Sequence, residues 1–449
     1  MPPLPQSTQN SLVLLELNEV NFTYLRRYIA QGHLPALAAL IERHGITETS
    51  SESDYEQLEP WIQWVTAHTG LALSQHGVFR LGDIVHTEFD QTWEVLEQRG
   101  VSVGAVSPMN AKNRCRAARF FVPDPWTPTT VTGGRMITNL HRALAQTVSE
   151  NAQGRVTMRS AFWLLAGFLR FGRLRSLLAQ ISYALRAPSQ PWTKALFLDR
   201  LLADVFMDMR RVERPQFCTL FLNAAAHIQH HYMYCSAVYE GPHRNPSWYV
   251  KPGVDPLLEA YRLYDKIVAD VLSMQPACRL IIATGLHQDP CPAPVYYYRL
   301  KDHAALLTKL GVGYESVLPL MSRDFLIHCT DRAACEQAVT RLQAVHSGDG
   351  TRVFSAEARD NTVFAMLTYP SEIKGPFMVE DGSGLAWDFS GDVVFVALKN
   401  GIHNGTGYVI DTANGRLDAQ QRVPLASLHH RVLEAFAAVA PERNSARAV

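Results

Sequence analysis

Short apolar runs alternate with amphipathic stretches along much of this chain. Residues 11–17 (SLVLLEL) are apolar and end in polar residues, which predicts a parallel strand buried on both faces. Residues 22–44 follow with apolar positions at helical spacing: Leu25, Tyr28, Ile29, Leu34, Leu37, Leu40 and Ile41. Pro60–Thr69 predicts a helix opened by a proline, which the first helical turn tolerates. Residues 89–99 read as a helix and 101–106 as a strand. Two further buried strands are predicted at Phe217–Leu222 and 280–283, with a helix over 256–274 between them. This order points to a doubly wound α/β fold with a parallel sheet, in which sites gather at the carboxyl ends of the strands.

Polar candidates stand at those ends: Asn18 and Glu19, Asn223 and His227, Thr284 and His287, and Asn400 and His403. His403 lies in NGIHNGTG, which predicts a glycine-rich turn after the apolar run 393–398. A side chain there reaches a ligand without bulky backbone around it. His227, His230 and His231 form HIQHHY. His227 and His231 share a helical face at i, i+4, a spacing that lets two imidazoles meet one ion, and His230 shares that face almost as well. Glu16 and Asn18 fall on one face of the first strand if Leu15 and Leu17 fall on the other. A carboxylate on a strand this apolar calls for a partner or a metal. Glu59 precedes Pro60 at the start of a helix.

Residues 130–215 interrupt the alternation. Within them, 161–186 (AFWLLAGFLRFGRLRSLLAQISYALR) is apolar and arginine-rich and has no acidic residue. It reads either as a helical insertion packed over the core or as a lid or peripheral membrane-surface element. One large domain over residues 11–440 is expected, with 130–215 inserted and 442–449 a frayed tail.

Composition narrows the partners. Lys+Arg and Asp+Glu are both 42, so no global basic field argues for nucleic acid. The seven cysteines form no Cys-x-x-Cys pair, which suits a reducing compartment and gives no zinc ribbon. The first residues lack the pattern of a signal peptide, and no uncharged run is long enough to span a bilayer. The expectation is a cytoplasmic protein.

Seven segments in order resemble the alkaline phosphatase superfamily, in its nucleotide pyrophosphatase/phosphodiesterase and sulfatase-like branch. They are LVLLELNE, GHLPALAAL from Gly32, WVTAHTG from Trp64 with QHGV from Gln75, the helix and strand over 93–106, FLNAAAH, LIIATGLH, and NGIHNGTGYVI. The resemblance implies a three-layer α/β/α sandwich with a mostly parallel sheet. It also implies one or two divalent ions, zinc first and manganese or iron next, that clamp a phosphate or sulfate ester. Asn223, His227 and His403 match one set of ligands. Asn18 matches part of the second, whose Asp-His pair falls on Gly285 and Leu286, one step from His287. Where the family carries a Ser or Thr nucleophile, this chain has Glu59-Pro60.

The leading expectation is therefore a metal-dependent hydrolase or transferase acting on a small anionic ester. One ion would sit on Asn223, His227 and His403. A second would sit on Asn18 and Glu59, with Glu16 or His287. Activated water would replace the nucleophile, with Glu59 or His287 in a catalytic role. The alternative is an inactive relative that binds an anionic ligand or a partner protein.

Overall fold

The computed structural model describes residues 11–149, 157–275, 277–320, 323–415 and 422–437, so the tail expected at 442–449 lies outside it. The chain divides into two compact units. One holds residues up to 148, then 156–290 and 401 onward. The other is centred on Cys291–Asn400.

The first unit begins with β1 (Leu12–Leu17), α1 (Phe22–Ala30), α2 (Pro35–His44), β2 (Thr47–Ser50), α3 (Pro60–Thr69), α4 (Leu73–His76) and α5 (Thr92–Gln98). It continues through β3 (Val103–Val106), β4 (Phe120–Val122), α6 (Gly134–Ser149), α7 (Met158–Phe171), α8 (Leu174–Arg186) and α9 (Thr193–Glu213). Then come β5 (Phe217–Leu222), α10 (Ala224–Tyr232), α11 (Pro256–Leu272), β6 (Arg279–Ala283) and β7 (His287–Leu300), along which the chain leaves the unit.

The second unit carries α12 (His303–Lys309), β8 (Ser316–Pro319), β9 (Asp324–His328), α13 (Arg332–Gln343), β10 (His346–Ser347), β11 (Phe354–Arg359), β12 (Thr362–Leu367), β13 (Met378–Glu380) and β14 (Ala386–Asp388). Its antiparallel sheet runs β11-β12-β9-β8. Its own core includes Leu307, Phe325, Ile327, Leu342 and Phe354. The chain returns along β15 (Val393–Asn404) and ends in β16 (Thr406–Asp411), β17 (Arg422–Pro424) and α14 (Ser427–Glu434).

The first unit's sheet has the order β17-β2-β16-β6-β1-β5-β3-β4. Every pairing is parallel except those of β16, which runs antiparallel to β2 and β6. All six residues of β1 are buried, as a central strand covered on both faces requires. Val13, Leu15 and Leu17 join one core with residues of α1, α2, α9, α10 and α11. Leu12 and Leu14 join a second with residues of α3, α5 and α14. The period of two along the strand thus separates two helical layers, and the three-layer expectation holds.

Two sequence expectations are adjusted. The helical stretch 22–44 is two helices, parted where Leu34 takes a left-handed backbone (φ 61°) ahead of Pro35. The stretch 161–186 likewise breaks between Phe171 and Leu174.

Candidate metal centre

Two neighbouring features set the stage at the end of β1. The first lies inside the strand. Glu16 is completely buried, accepts a hydrogen bond from the Thr219 hydroxyl of β5, and faces His68 Nε2 at 3.1 Å. Asn18 accepts a hydrogen bond from Trp64 Nε1 at 2.7 Å. Trp64 and His68 are one turn apart on α3, a rise of about 6 Å, which matches the ~6.6 Å between alternate residues of a strand. Helix α3 therefore serves Asn18 and Glu16 with two consecutive side chains of its inner face. The two do share a face of β1, as expected, but Glu16 answers to His68. The sequence placed Glu16 among metal ligands. Its histidine partner was hidden in WVTAHTG, a stretch that spacing alone makes a plain core helix.

The second feature lies one residue beyond Asn18. Glu19 is buried and holds a left-handed backbone (φ 59°), which orders its side chain differently from those of the strand. Its backbone is pinned on both sides: the N–H donates to Thr284 O at 3.1 Å, and the carbonyl accepts from Gln229 Nε2 at 2.6 Å. The carboxylate accepts from Asn18 Nδ2 at 2.8 Å and from the Gln288 side-chain amide. Gly401 lets Gln288 come this close, because a Cβ there would stand 2.1 Å from Gln288 Oε1 and 2.9 Å from Gln229 O.

Two imidazoles complete the arrangement. Glu19 Oε2 lies 3.2 Å from His403 Nε2 and 3.3 Å from His230 Nε2, and the two nitrogens are 3.3 Å apart. Among the described residues, Glu19, His230 and His403 are the one set of three such side chains able to share an ion. They come from the loop after β1, from α10 after β5, and from the last residues of β15. All three lie on the side of the sheet where the parallel strands end. Burial alone would raise the Glu19 pKa; the charges and hydrogen bonds of His403 and His230 outweigh it and hold the carboxyl well below its usual range. His230 keeps 30% of its side chain exposed against 2% for Glu19, so solvent reaches the group from the His230 side.

The remaining candidates occupy different places. His403 lies on β15 itself, which continues to Asn404, rather than on a turn past residue 398. The member of HIQHHY that meets it is His230. His227 packs its ring against His231 at 5.2 Å, and burial, with His230 adding to it, pushes its pKa down to about 4. Asn223 accepts the other N–H of Asn18 at 2.8 Å. Asn18 thereby engages every polar atom of its side chain: its oxygen takes the Trp64 indole, and its amide hydrogens go to Glu19 and Asn223. Glu59 Oε2 stands 3.8 Å from His403 Nδ1. One ring cannot turn both nitrogens to one point, so Glu59 borders the group from behind His403 instead of joining it. His287 faces Thr406 O through Nδ1 at 2.6 Å and Asp289 through Nε2 at 3.3 Å, in a pair of its own. Asn404 Nδ2 donates to that same Asp289 at 2.7 Å. Along the chain Glu19 stands beside Asn18 among the polar candidates at the strand ends, and His230 nearly shares the helical face of His227, but neither was assigned to the ion.

No protein-family model matches the chain, and no curated protein matches it. Among solved structures, the chain is similar to phosphonoacetate hydrolase from Sinorhizobium meliloti 1021 in complex with phosphonoacetate, with 13% identity, 96% of each chain covered and a TM-score of 0.45. It is also similar to human ectonucleotide pyrophosphatase/phosphodiesterase 5 (10% identity, 94% of each chain, TM-score 0.43). The murine protein of that name gives 9% identity, 94% of each chain and a TM-score of 0.42. Identity this low says nothing of substrate, and the functional reading stands on the side chains described above.

Proposed function

We propose that this protein is a divalent-metal-dependent hydrolase or transferase of a small phosphate or sulfate ester, with one ion held by Glu19, His230 and His403. The observation that carries the reading is the near-equilateral triangle of Oε2 and two Nε2 atoms with edges of 3.2–3.3 Å. Ligand bonds of 2.0–2.1 Å in a tetrahedral zinc site put neighbouring ligand atoms about 3.3–3.4 Å apart, so the triangle has the dimensions of one face of such a site. Two histidines and a carboxylate with an open position are a donor set suited to zinc and to iron.

When bound, the ion supplies Lewis acidity to an ester oxygen and to a water. The protein's residues do the rest. Asn18 and Gln288 fix the rotation of the Glu19 carboxylate, so that one oxygen meets both imidazoles. Glu59 stands at the far nitrogen of His403, where a carboxylate orients a ligating ring and raises its basicity. Nothing at the Glu59-Pro60 position offers a hydroxyl, and the Ser51 hydroxyl nearby is donated to Gly285 O at 3.0 Å. The attacking group is therefore drawn from solvent, which enters beside His230.

A second reading, a non-catalytic anion or partner binder, is favoured by one observation: the amide of Asn18 is already engaged by Trp64, Glu19 and Asn223. Turnover of aryl phosphate, phosphodiester and sulfate ester probes by zinc-, manganese- or iron-loaded protein separates the two. The catalytic reading expects hydrolysis of at least one probe that Glu19→Gln abolishes. Metal bound without turnover of any probe supports the non-catalytic one.

A further inference from the structure

Helix α8 is built inside out. Its buried residues are Ser176 and Gln180, and both donate to the buried carboxylate of Asp204 on α9, which also pairs with Arg200. Its exposed residues are apolar: Leu174 (90% exposed), Leu178 (80%), Ile181 and Leu185. Their spacing of 4, 3 and 4 residues confines them to one stripe of the helix. Helix α7 repeats the pattern outside, with Met158 (88% exposed), Phe162, Leu165 and Leu169 at the same spacing, while Gly167 and Phe171 face inward. Eight large apolar side chains on two consecutive helices thus face water. That is the reverse of what a helix on a water-facing surface does.

Charge identifies the occupant. Residues 151–198 contain no Asp or Glu but six arginines and a lysine. Arg170 and Arg186 are tied inward, to Asp208 and Glu259. Arg159, next to Met158 on α7, instead lines a cleft of about 440 Å³ with Arg135 and Arg142 of α6 and the indole of Trp163. Among the described residues no carboxylate lines this cleft, which leaves three guanidinium groups and a tryptophan beside an apolar stripe. A second copy would bring the same positive charge and repel it. A bilayer with anionic head groups meets both features together. Its acyl boundary takes the leucine stripes, its phosphates take the arginines, and tryptophan suits the interface between them. No described helix is long and apolar enough to cross the membrane, so the contact is a surface one.

We infer that the α6–α7–α8 face docks the protein onto anionic phospholipid membranes, with the arginine cleft receiving a lipid phosphate. The test is co-sedimentation of the full chain with phosphatidylcholine vesicles, with and without phosphatidylglycerol. The expected result is binding to the anionic vesicles that weakens as salt rises. The variant R135Q/R142Q/R159Q should lose about a hundredfold in affinity, because each arginine at an anionic surface contributes about fivefold. The variant L174Q/L178Q/L185Q should lose sedimentation altogether. All six residues are exposed, so both variants should keep the parent's circular dichroism and melting temperature. The inference is overturned if the parent ignores anionic vesicles at low salt, or if it binds neutral vesicles equally well. It is also overturned if either variant binds as the parent does, or if the leucine variant merely dissolves a dimer that never sediments with lipid.

Discussion

Glu16 and Glu19 are three residues apart, both buried, and both opposed by histidine, yet they belong to different kinds of site. Glu16 sits within β1, its carboxylate shared between one imidazole and one hydroxyl, in a closed space between the strand and α3. Glu19 sits past the strand end, where one of its oxygens faces two Nε2 atoms that also face each other, with solvent on one side. A buried carboxylate is therefore a poor guide to function by itself. What separates the two is how many lone pairs converge on one point, and whether that point is open.

Acid strains this comparison hardest. Burial is the main force pushing His76, His227 and His429 down to about 4 from an ordinary 6.5, so they stay neutral in the folded chain while the unfolded chain takes up protons. The unfolded state binds more protons in that interval, so stability is complete above about pH 6.5 and is lost as pH falls toward 4. Glu19 adds to this below its ordinary 4.5, because its lowered pKa makes protonation unfavourable in the fold. Denaturant midpoints across pH 4–8 should fall toward acid, partly offset by Asp199, whose carboxyl pKa is raised by burial to about 6, and Glu19→Gln should remove the part lost below pH 4.5.

The next largest effect falls on the closed site. His68→Leu leaves Glu16 only the Thr219 hydroxyl, and removing one member of a buried pair costs about 3–5 kcal/mol. Chemical denaturation should show that loss while metal content stays unchanged. At the open site the pattern inverts. Glu19→Gln should reduce metal affinity by more than the roughly 10–100-fold typical of outer-shell changes, as read by competition with a chelating dye. The smallest change is Glu59→Ala, which leaves the three ligands and alters only the support of His403. About tenfold weaker metal binding is expected, with no change in melting temperature of the metal-free protein.

Much of the architecture was legible along the chain, because β1, β5 and β6 are apolar apart from Glu16, Thr219 and Arg279 and the intervening helices keep their period. The ends of the strands were legible as a place, and His403 as a member. The identity of its partners was not. Helical spacing gives His227 and His230 nearly the same face, and only the orientation of α10 after β5 decides which ring reaches β15. Glu19 was obscured for a different reason: alternation along β1 assigns faces up to Asn18, and a left-handed residue breaks that rule at the next position. The inside-out character of α8 was likewise invisible, since a sequence stripe does not say which side of a helix meets Asp204.

The most direct test of the central claim is elemental analysis of protein purified without chelator, for the parent chain, His230→Ala and His227→Ala. The account predicts one divalent ion per chain in the parent, retained by His227→Ala and lost by His230→Ala, with all three folded. An ion lost from His227→Ala and kept by His230→Ala, or no ion in the folded parent, would contradict it.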